Sequence, residues 1–224
     1  MQNNLEILYE DNHIIVVVKP NNILSQSDNT NDIDMLTIVK KYIKEKYNKP
    51  GNVYLGLVHR LDRPVSGIMV FAKTSKAASR LSDQVRTHTF KKSYIAIVHD
   101  DGSLKNEDTL IDYIYKDNDN NSVIADEKKG KYSELNYKVI EHNQDQNLTL
   151  VDIDLKTGRH HQIRVQFSSR KHPLFGDKRY GVQDKNQIAL HAYKLEFLHP
   201  VTKEKMVFVS KPEKSRSKWS SFIF

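Results

Sequence analysis

The residues best placed to do chemistry sit in His59-Arg60-Leu61-Asp62, with Ser66-Gly67 close behind. They follow the apolar run Val53-Tyr54-Leu55-Gly56-Leu57-Val58. A strand that ends in a carboxylate and is followed by Pro64 and Gly67 presents a reactive group at a sheet edge. Much further along, Gly158-Arg159-His160-His161-Gln162-Ile163-Arg164 supplies a basic block that could answer it. A free aspartate titrates near about 3.9, so burial would have to raise Asp62 by roughly three units to neutralise it at pH 7. A neighbouring arginine acts the other way, by about 1–3 units. If Arg164 reaches Asp62, the carboxylate stays ionised even among apolar neighbours. It is then a competent nucleophile or charge stabiliser and a poor acid. The plainer alternative is that Asp62 caps the turn before Pro64, and for an arbitrary aspartate that is the better bet. The apolar approach and the second arginine block favour the reactive reading.

Other chemistries fit less well. A glycosidase needs a second carboxylate as acid/base across the bond, and only Asp177, in Phe175-Gly176-Asp177-Lys178, suggests itself. Its neighbours Lys178 and Arg179 argue for a depressed pKa and against an acid. A kinase reading fails because His-Arg-Leu-Asp places the aspartate one position late and no glycine-rich loop or Asp-Phe-Gly is present. Zinc ribbons, thiolate nucleophiles, disulfides and iron–sulfur clusters are excluded, because the 224 residues include no cysteine. Metal ligation is not expected either. His160 and His161 are adjacent, so on a helix they would point apart, and no histidine stands four residues from a ligand-like glutamate.

These groups need a scaffold. Residues 5–19 read as a hairpin turned at Asp11-Asn12 and ended by Pro20. Met35, Leu36, Val39, Ile43 and Tyr47 recur at helical spacing over 32–47, with Lys40, Lys41 and Lys44 outside. Lys49-Pro50-Gly51 stops that helix and the strand to His59 follows. Residues 68–72 read as a buried strand. Thr74 or Ser75 then caps a helix through about Thr87, and 93–98 return as a strand. Residues 100–130 are polar and read as an exposed excursion with mobile loops. Runs 132–140 and 148–155 form a hairpin, 160–170 a short helix, and 190–198 with 205–210 another hairpin. With no repeats, linkers or breaks in composition, the expectation is one α+β domain over 1–224, built on a mixed, mostly antiparallel central sheet flanked by helices and loops.

The two blocks, in order with others, carry a resemblance. His59-Arg60-Leu61-Asp62-Arg63-Pro64-Val65-Ser66-Gly67 resembles the signature of the RluA-type RNA pseudouridine synthases, and Gly158 to Val165 is similar to that family's second block. His172-Pro173-Leu174-Phe175-Gly176-Asp177-Lys178-Arg179-Tyr180-Gly181, Leu190-His191-Ala192, the strand with Tyr94 and the opening 11–20 segment fall in the same order. The likeness spans nearly the whole chain. It implies the pseudouridine synthase fold and a reaction without metal or other cofactor. The uracil–ribose bond of a uridine in RNA breaks, the base turns, and ribose rejoins at carbon 5. By position, Asp62 is implied as nucleophile or acid–base group, Tyr94 as the aromatic that lines the pocket and stacks on uracil, and Arg164 as the group that holds Asp62. Ile163 is implied as apolar floor. Arg60 is implied to fill the stack vacated by the everted base, a task suited to a planar guanidinium. The bland readings are an ion pair for Arg60 and a core aromatic for Tyr94.

The balance of 35 Lys plus Arg against 28 Asp plus Glu, a net charge of +7, fits a polyanionic partner. Arg159, His161, Lys73 and Lys178 are the remaining expected RNA contacts, beside further cations at Lys76, Arg80, Arg170 and Arg179. Each phosphate neutralised adds about 0.7–0.9 to the log–log salt slope. The chain departs from the family where Val65 replaces a threonine and where Asn21-Asn22 stand in place of a glycine after Lys19-Pro20. The small RNA-binding module that many ribosomal members carry ahead of this domain is not recognised, which weakens a ribosomal substrate. No signal peptide or span is read. The expectation is a cytoplasmic, monomeric isomerase acting on structured transfer or ribosomal RNA, with no membrane and no metal. The alternatives are a non-catalytic RNA-binding or chaperone protein on the same fold and, more weakly, a glycosidase.

Overall fold

A computed structural model of the chain describes residues 5–30, 32–181 and 186–223. The first elements are β1 (Ile7–Glu10), β2 (Ile14–Lys19), α1 (Met35–Lys46), β3 (Gly56–Leu57), β4 (Ser66–Ala72) and α2 (Ser75–Arg86). Next come β5 (Lys91–His99), β6 (Glu107–Lys116), β7 (Ser122–Ala125), β8 (Lys131–Asn143) and β9 (Leu148–Leu155). The chain continues with α3 (Gln162–Ser169), β10 (Leu190–Leu198) and β11 (Lys205–Val209). This is the α+β class, mixed and mostly antiparallel, that the sequence reading anticipates. The described chain divides into two compact units. The first takes the residues up to Phe90 together with Ala192–Ser210, and the second takes Lys91–His191 together with the residues from Lys211 on. The His191–Ala192 crossing falls inside β10, so no linker or shift in composition marks it.

In the first unit β2 pairs with β1 and along its whole length with β4, Ile14 facing Ala72 and Lys19 facing Gly67. Every residue of β4 is buried, as its unbroken apolar run requires. Ile14, Val16, Ile68, Val70, Ala77, Leu81, Phe90, Leu195 and Phe197 form one cluster. Asp34 caps α1 by accepting the Thr37 N–H, and Met35, Val39 and Ile43 turn inward at a spacing of four. Thr74 caps α2 in the same way through Ala77 N–H. Gln84 of α2 both donates to and accepts from the main chain of Leu198, at 2.8 Å each. The strand expected over 53–58 is only the two residues of β3. Gly56 and Leu57 find Ala72 and Phe71 of β4 as partners, while Tyr54 stays exposed.

The second unit orders its strands β5-β9-β8-β6-β7. β9, buried at six of eight positions, has β5 on one side and β8 on the other. The β8–β9 connection is a 3-10 turn closed by Asn147 in the left-handed region. The expected excursion over 100–130 is corrected here: β6 and β7 form an antiparallel hairpin from Tyr113–Ala125 to Lys116–Ser122, and β6 also pairs with β8. The hairpin is at the end of the strand order, so charged and polar side chains alternate with Leu110 and Ile114, which turn inward. That pattern is too polar to stand out from a loop.

Gly67 has φ of +131°, and a β-carbon there would lie 2.4 Å from the Ala192 carbonyl oxygen. No side chain fits between those two main chains. Gly67→Ala is expected to lower unfolding free energy by about 3 kcal/mol or more, read by urea denaturation. A loss below about 1 kcal/mol would contradict the close approach.

Candidate active site

The loop that carries Asp62 is built by the segment that follows β2. The Lys19 side chain is wholly buried, and its ammonium donates to the carbonyls of Pro20 at 3.0 Å, Ile23 at 2.6 Å and Arg63 at 3.0 Å. Asn21 Nδ2 donates to the Pro64 carbonyl at 2.8 Å. Ser25 Oγ donates to the Leu61 carbonyl and accepts the Leu61 N–H. Three side chains from one short segment thus fix the main chain on both sides of Asp62. The Val65 N–H closes the turn onto the Asp62 carbonyl at 3.0 Å. Asn22 holds φ of 64°, a left-handed position that asparagine tolerates better than most residues. The Asn21-Asn22 departure from the family therefore costs no turn: one asparagine takes the glycine-like backbone and the other adds a hydrogen bond. Val65 and Ser66 are buried behind the loop, Leu61 packs inward, Asp62 is half-buried and Arg60 is exposed.

Burial pushes the Lys19 ammonium down to about 7, against the opposing field of Asp62 and with the help of Arg63. Below it, His59 Nε2 accepts the Val70 N–H and the ring packs on Phe90. His59 is a structural histidine of this turn.

In the second unit the arginine block is organised around the start of α3. Arg164 is buried, and its Nε and one terminal nitrogen grip both oxygens of Asp177 at 2.7 Å each. Asp177 has no side-chain exposure and also accepts the N–H groups of Arg179 and Tyr180. The second carboxylate that a glycosidase reading would need is therefore locked in a bidentate fork with an arginine. The guanidinium of Arg164 also lies over the Tyr180 ring, 5.1 Å from its centre. Sequence reasoning took Asp177 and Tyr180 as part of a signature without assigning them this task.

His160 and His161 do not point apart as expected of a helix. They precede α3, and a φ of 51° at His161 swings the two rings face to face with centroids 3.7 Å apart. The Ser122 hydroxyl of β7 bonds the His160 carbonyl and contacts its Nδ1. His161 Nδ1 meets the Tyr180 hydroxyl at 2.8 Å. Burial first, then the charges of Arg164, His160, Arg179 and Lys116, depress His161 to about 2, so it is a neutral imidazole.

The remaining expected residues are placed as follows. Tyr94 is buried in β5 opposite Ile153, and Ile163 is buried in α3. Arg159 is exposed, with its Nε on the Tyr132 carbonyl and its own N–H on Gln162. Lys178 is exposed. Lys73, expected as a phosphate contact, has its ammonium on Glu10 at 2.7 Å and on the Asp11 carbonyl. Glu10, satisfied also by Lys46, Tyr42 and Tyr47, is lowered to about 2 despite its burial. The charge of Lys73 is thus spent inside the fold. Asp100, Asp101 and His172 bring ligand-type atoms within 4.8 Å of one another. The two carboxylates there accept N–H groups of Gly102, Leu104 and Ser103 and the hydroxyls of Thr149 and Ser103, which is loop-closing geometry.

This fold and these two organised blocks coincide with one family. The family model described as RNA pseudouridylate synthase matches residues 13–169, and the chain belongs to that family. It is 34% identical over 219 residues to a ribosomal large subunit pseudouridine synthase C of Buchnera aphidicola, covering 92% of this chain and 66% of that protein. It is 35% identical over 206 residues to an uncharacterized RNA pseudouridine synthase of Bacillus subtilis, covering 91% and 67%. The chain thus spans about two thirds of the length of these relatives. Among solved structures, human RNA pseudouridylate synthase domain containing 4 superposes with a TM-score of 0.77 at 21% identity, over 94% of this chain and 89% of that one. Its counterpart, domain containing 1, gives 0.75. Among the described residues no helix is long and apolar enough to cross a membrane.

Two predictions follow from buried charge. Asp177→Asn strips the bidentate carboxylate from buried Arg164 and should cost about 3–5 kcal/mol of stability, measured by urea unfolding; a cost below about 1 kcal/mol would mean that the fork is ornamental. Burial lowers Lys19 to about 7 in the folded chain, against 10.5 for a lysine free in water. Between those values the unfolded chain binds the extra proton, so this residue makes stability rise with pH, by roughly 1.4 kcal/mol per unit at most. Below the window Lys19 is charged in both states and its share is constant. The difference in unfolding free energy between wild type and Lys19→Met should therefore grow from pH 7 to pH 10, and a difference that is flat with pH would refute the assignment.

Proposed function

We propose that the chain isomerises uridine to pseudouridine in structured RNA, with Asp62, Tyr94 and Arg164 as its catalytic residues. The observation that carries the reading is the construction of the Asp62 loop. Lys19, Asn21 and Ser25 hold its main chain at the residues immediately before and after the aspartate. Fixing both flanks so tightly serves a group that must meet a reacting atom, because reaction rates fall steeply when such a group is misplaced. A turn-capping aspartate would need none of it.

In this reading Asp62 acts as a carboxylate at the ribose–uracil junction, and Arg164, whose plane Asp177 fixes, is a second polar group of the reaction. Tyr94 and the apolar side chain of Ile163 accept the everted uracil. Eversion from a helix costs a few kcal/mol, and exposed Arg60, two residues before Asp62, offers its plane to the vacated stack. Arg159 and Lys178, both exposed, together with the N–H of neutral His161, contact the RNA. The isomerisation is internally balanced: the bond from ribose to uracil nitrogen breaks, the bond to carbon 5 forms, and the carbon-5 proton leaves as the nitrogen gains one. No cofactor is required by that balance. The Buchnera relative is named for the large ribosomal subunit, which favours ribosomal over transfer RNA as the first substrate to try. A cytoplasmic, monomeric enzyme is the accompanying proposal.

Incubating ribosomal and transfer RNA transcripts with wild type and with Asp62→Asn, then mapping pseudouridine, tests the reading. Wild type should form the isomer at discrete positions, and the variant should be slower by roughly 10³-fold or more. RNA binding without isomer from either protein would instead support the non-catalytic binding protein, and released uracil would support a glycosidase.

A further inference from the structure

We infer that Tyr180 is a positioning residue whose hydroxyl fixes His161 as the neutral imidazole with its proton on Nε2. The inference deepens the proposed function, because it assigns Tyr180 a task at residues placed there in the RNA site.

The hydrogen positions follow from the partners. The Ser122 main-chain N–H donates to the Tyr180 oxygen at 2.7 Å. The hydrogen of the half-buried Tyr180 hydroxyl is best satisfied by an acceptor of its own, and His161 Nδ1 stands 2.8 Å away. A nitrogen that accepts there carries no proton, so the proton of the neutral ring lies on Nε2. The Ser122 hydroxyl hydrogen is directed at the His160 carbonyl, and its oxygen adds to the polar surroundings of the Tyr180 hydroxyl.

The ring is also fixed in space. His161 adopts a left-handed φ of 51°, a strained conformation for a residue with a β-carbon. Stacking on His160 and the edge contact with Tyr180 hold it there. The cations around it are Arg164 on α3, Arg179 beside Tyr180 and Lys116 on β6. Among so much positive charge a second imidazolium would be repelled, whereas a neutral donor of fixed direction adds a hydrogen bond without charge. The same Tyr180 ring supports the Arg164 guanidinium on its face. One side chain therefore orients two members of the basic block. Ser122 ties that arrangement to the β6–β7 hairpin.

The test combines a spectroscopic and a kinetic readout on the full chain. Nitrogen-15 spectra of the histidine rings should show His161 with an unprotonated Nδ1 in wild type, and a shifted tautomer balance in Tyr180→Phe. With transcripts carrying tritium at uracil carbon 5, release of tritium should fall about tenfold in kcat for Tyr180→Phe, with RNA affinity within about twofold. His161→Gln keeps an N–H near the place of Nε2 and has no tautomer to fix. In that background Tyr180→Phe should therefore cost nothing further beyond about twofold. An additive double variant, or a wild-type ring protonated on Nδ1, overturns the inference. If wild type releases no tritium from any transcript, the proposed function fails, and the ring-nitrogen spectra still decide the tautomer.

Discussion

One buried ammonium shared among three main-chain carbonyls holds the Asp62 loop together. Lys19 ends β2, whose pairing with β4 places its side chain under the turn that leads from Leu61 to Pro64. Burying a cation is expensive unless its hydrogen bonds are complete, and three acceptors match the three N–H bonds of an ammonium. The depressed pKa shows how hard the surroundings press on that charge. The field of Asp62 opposes that shift, while the lysine shapes the loop.

The second unit solves the opposite problem with the same means. Arg164 is buried, and the fork from Asp177 gives it both neutralisation and a fixed plane. A guanidinium held at two points on one edge has little rotational freedom left, which a lysine at that position would keep. The pair also explains why Gly176 precedes the aspartate. Its φ of 72° sits where a β-carbon would meet the Gln187 carbonyl at 2.3 Å, so only glycine lets the turn bring Asp177 beneath α3. Buried charge here is a device for geometry more than for stability.

Much of this was legible in the sequence, and what was not has definite causes. Helix α2 announces itself through Thr74 as a cap, and both α1 and α2 through apolar residues spaced three and four apart, while the Asp34 cap of α1 is seen only in the structure. Asp62, Arg164 and the two blocks stand out by residue type alone. The clamp around Asp62 does not, because Lys19 and Asn21 bind main-chain atoms 44 and 43 residues away. No side-chain pattern records which carbonyl a lysine will find. Lys73 misleads for the same reason: it reads as a free cation until Glu10, 63 residues earlier, is seen beside it. The β6–β7 hairpin is hidden by its exposure, and the stacked histidines by a backbone angle that residue type does not forbid.

These two kinds of cation divide the charge of the protein by function. Lys19 and Lys73 are consumed by internal partners and contribute shape. Arg60, Arg159 and Lys178 remain exposed and contribute field. A net charge of +7 therefore understates the difference between the parts: the surface that faces an RNA phosphate need not be the richest in lysine, only the one whose cations have not already been claimed. Reading a basic protein for its nucleic-acid face thus begins by subtracting the cations that the fold has spent on itself, and only then looking for the stripe that remains.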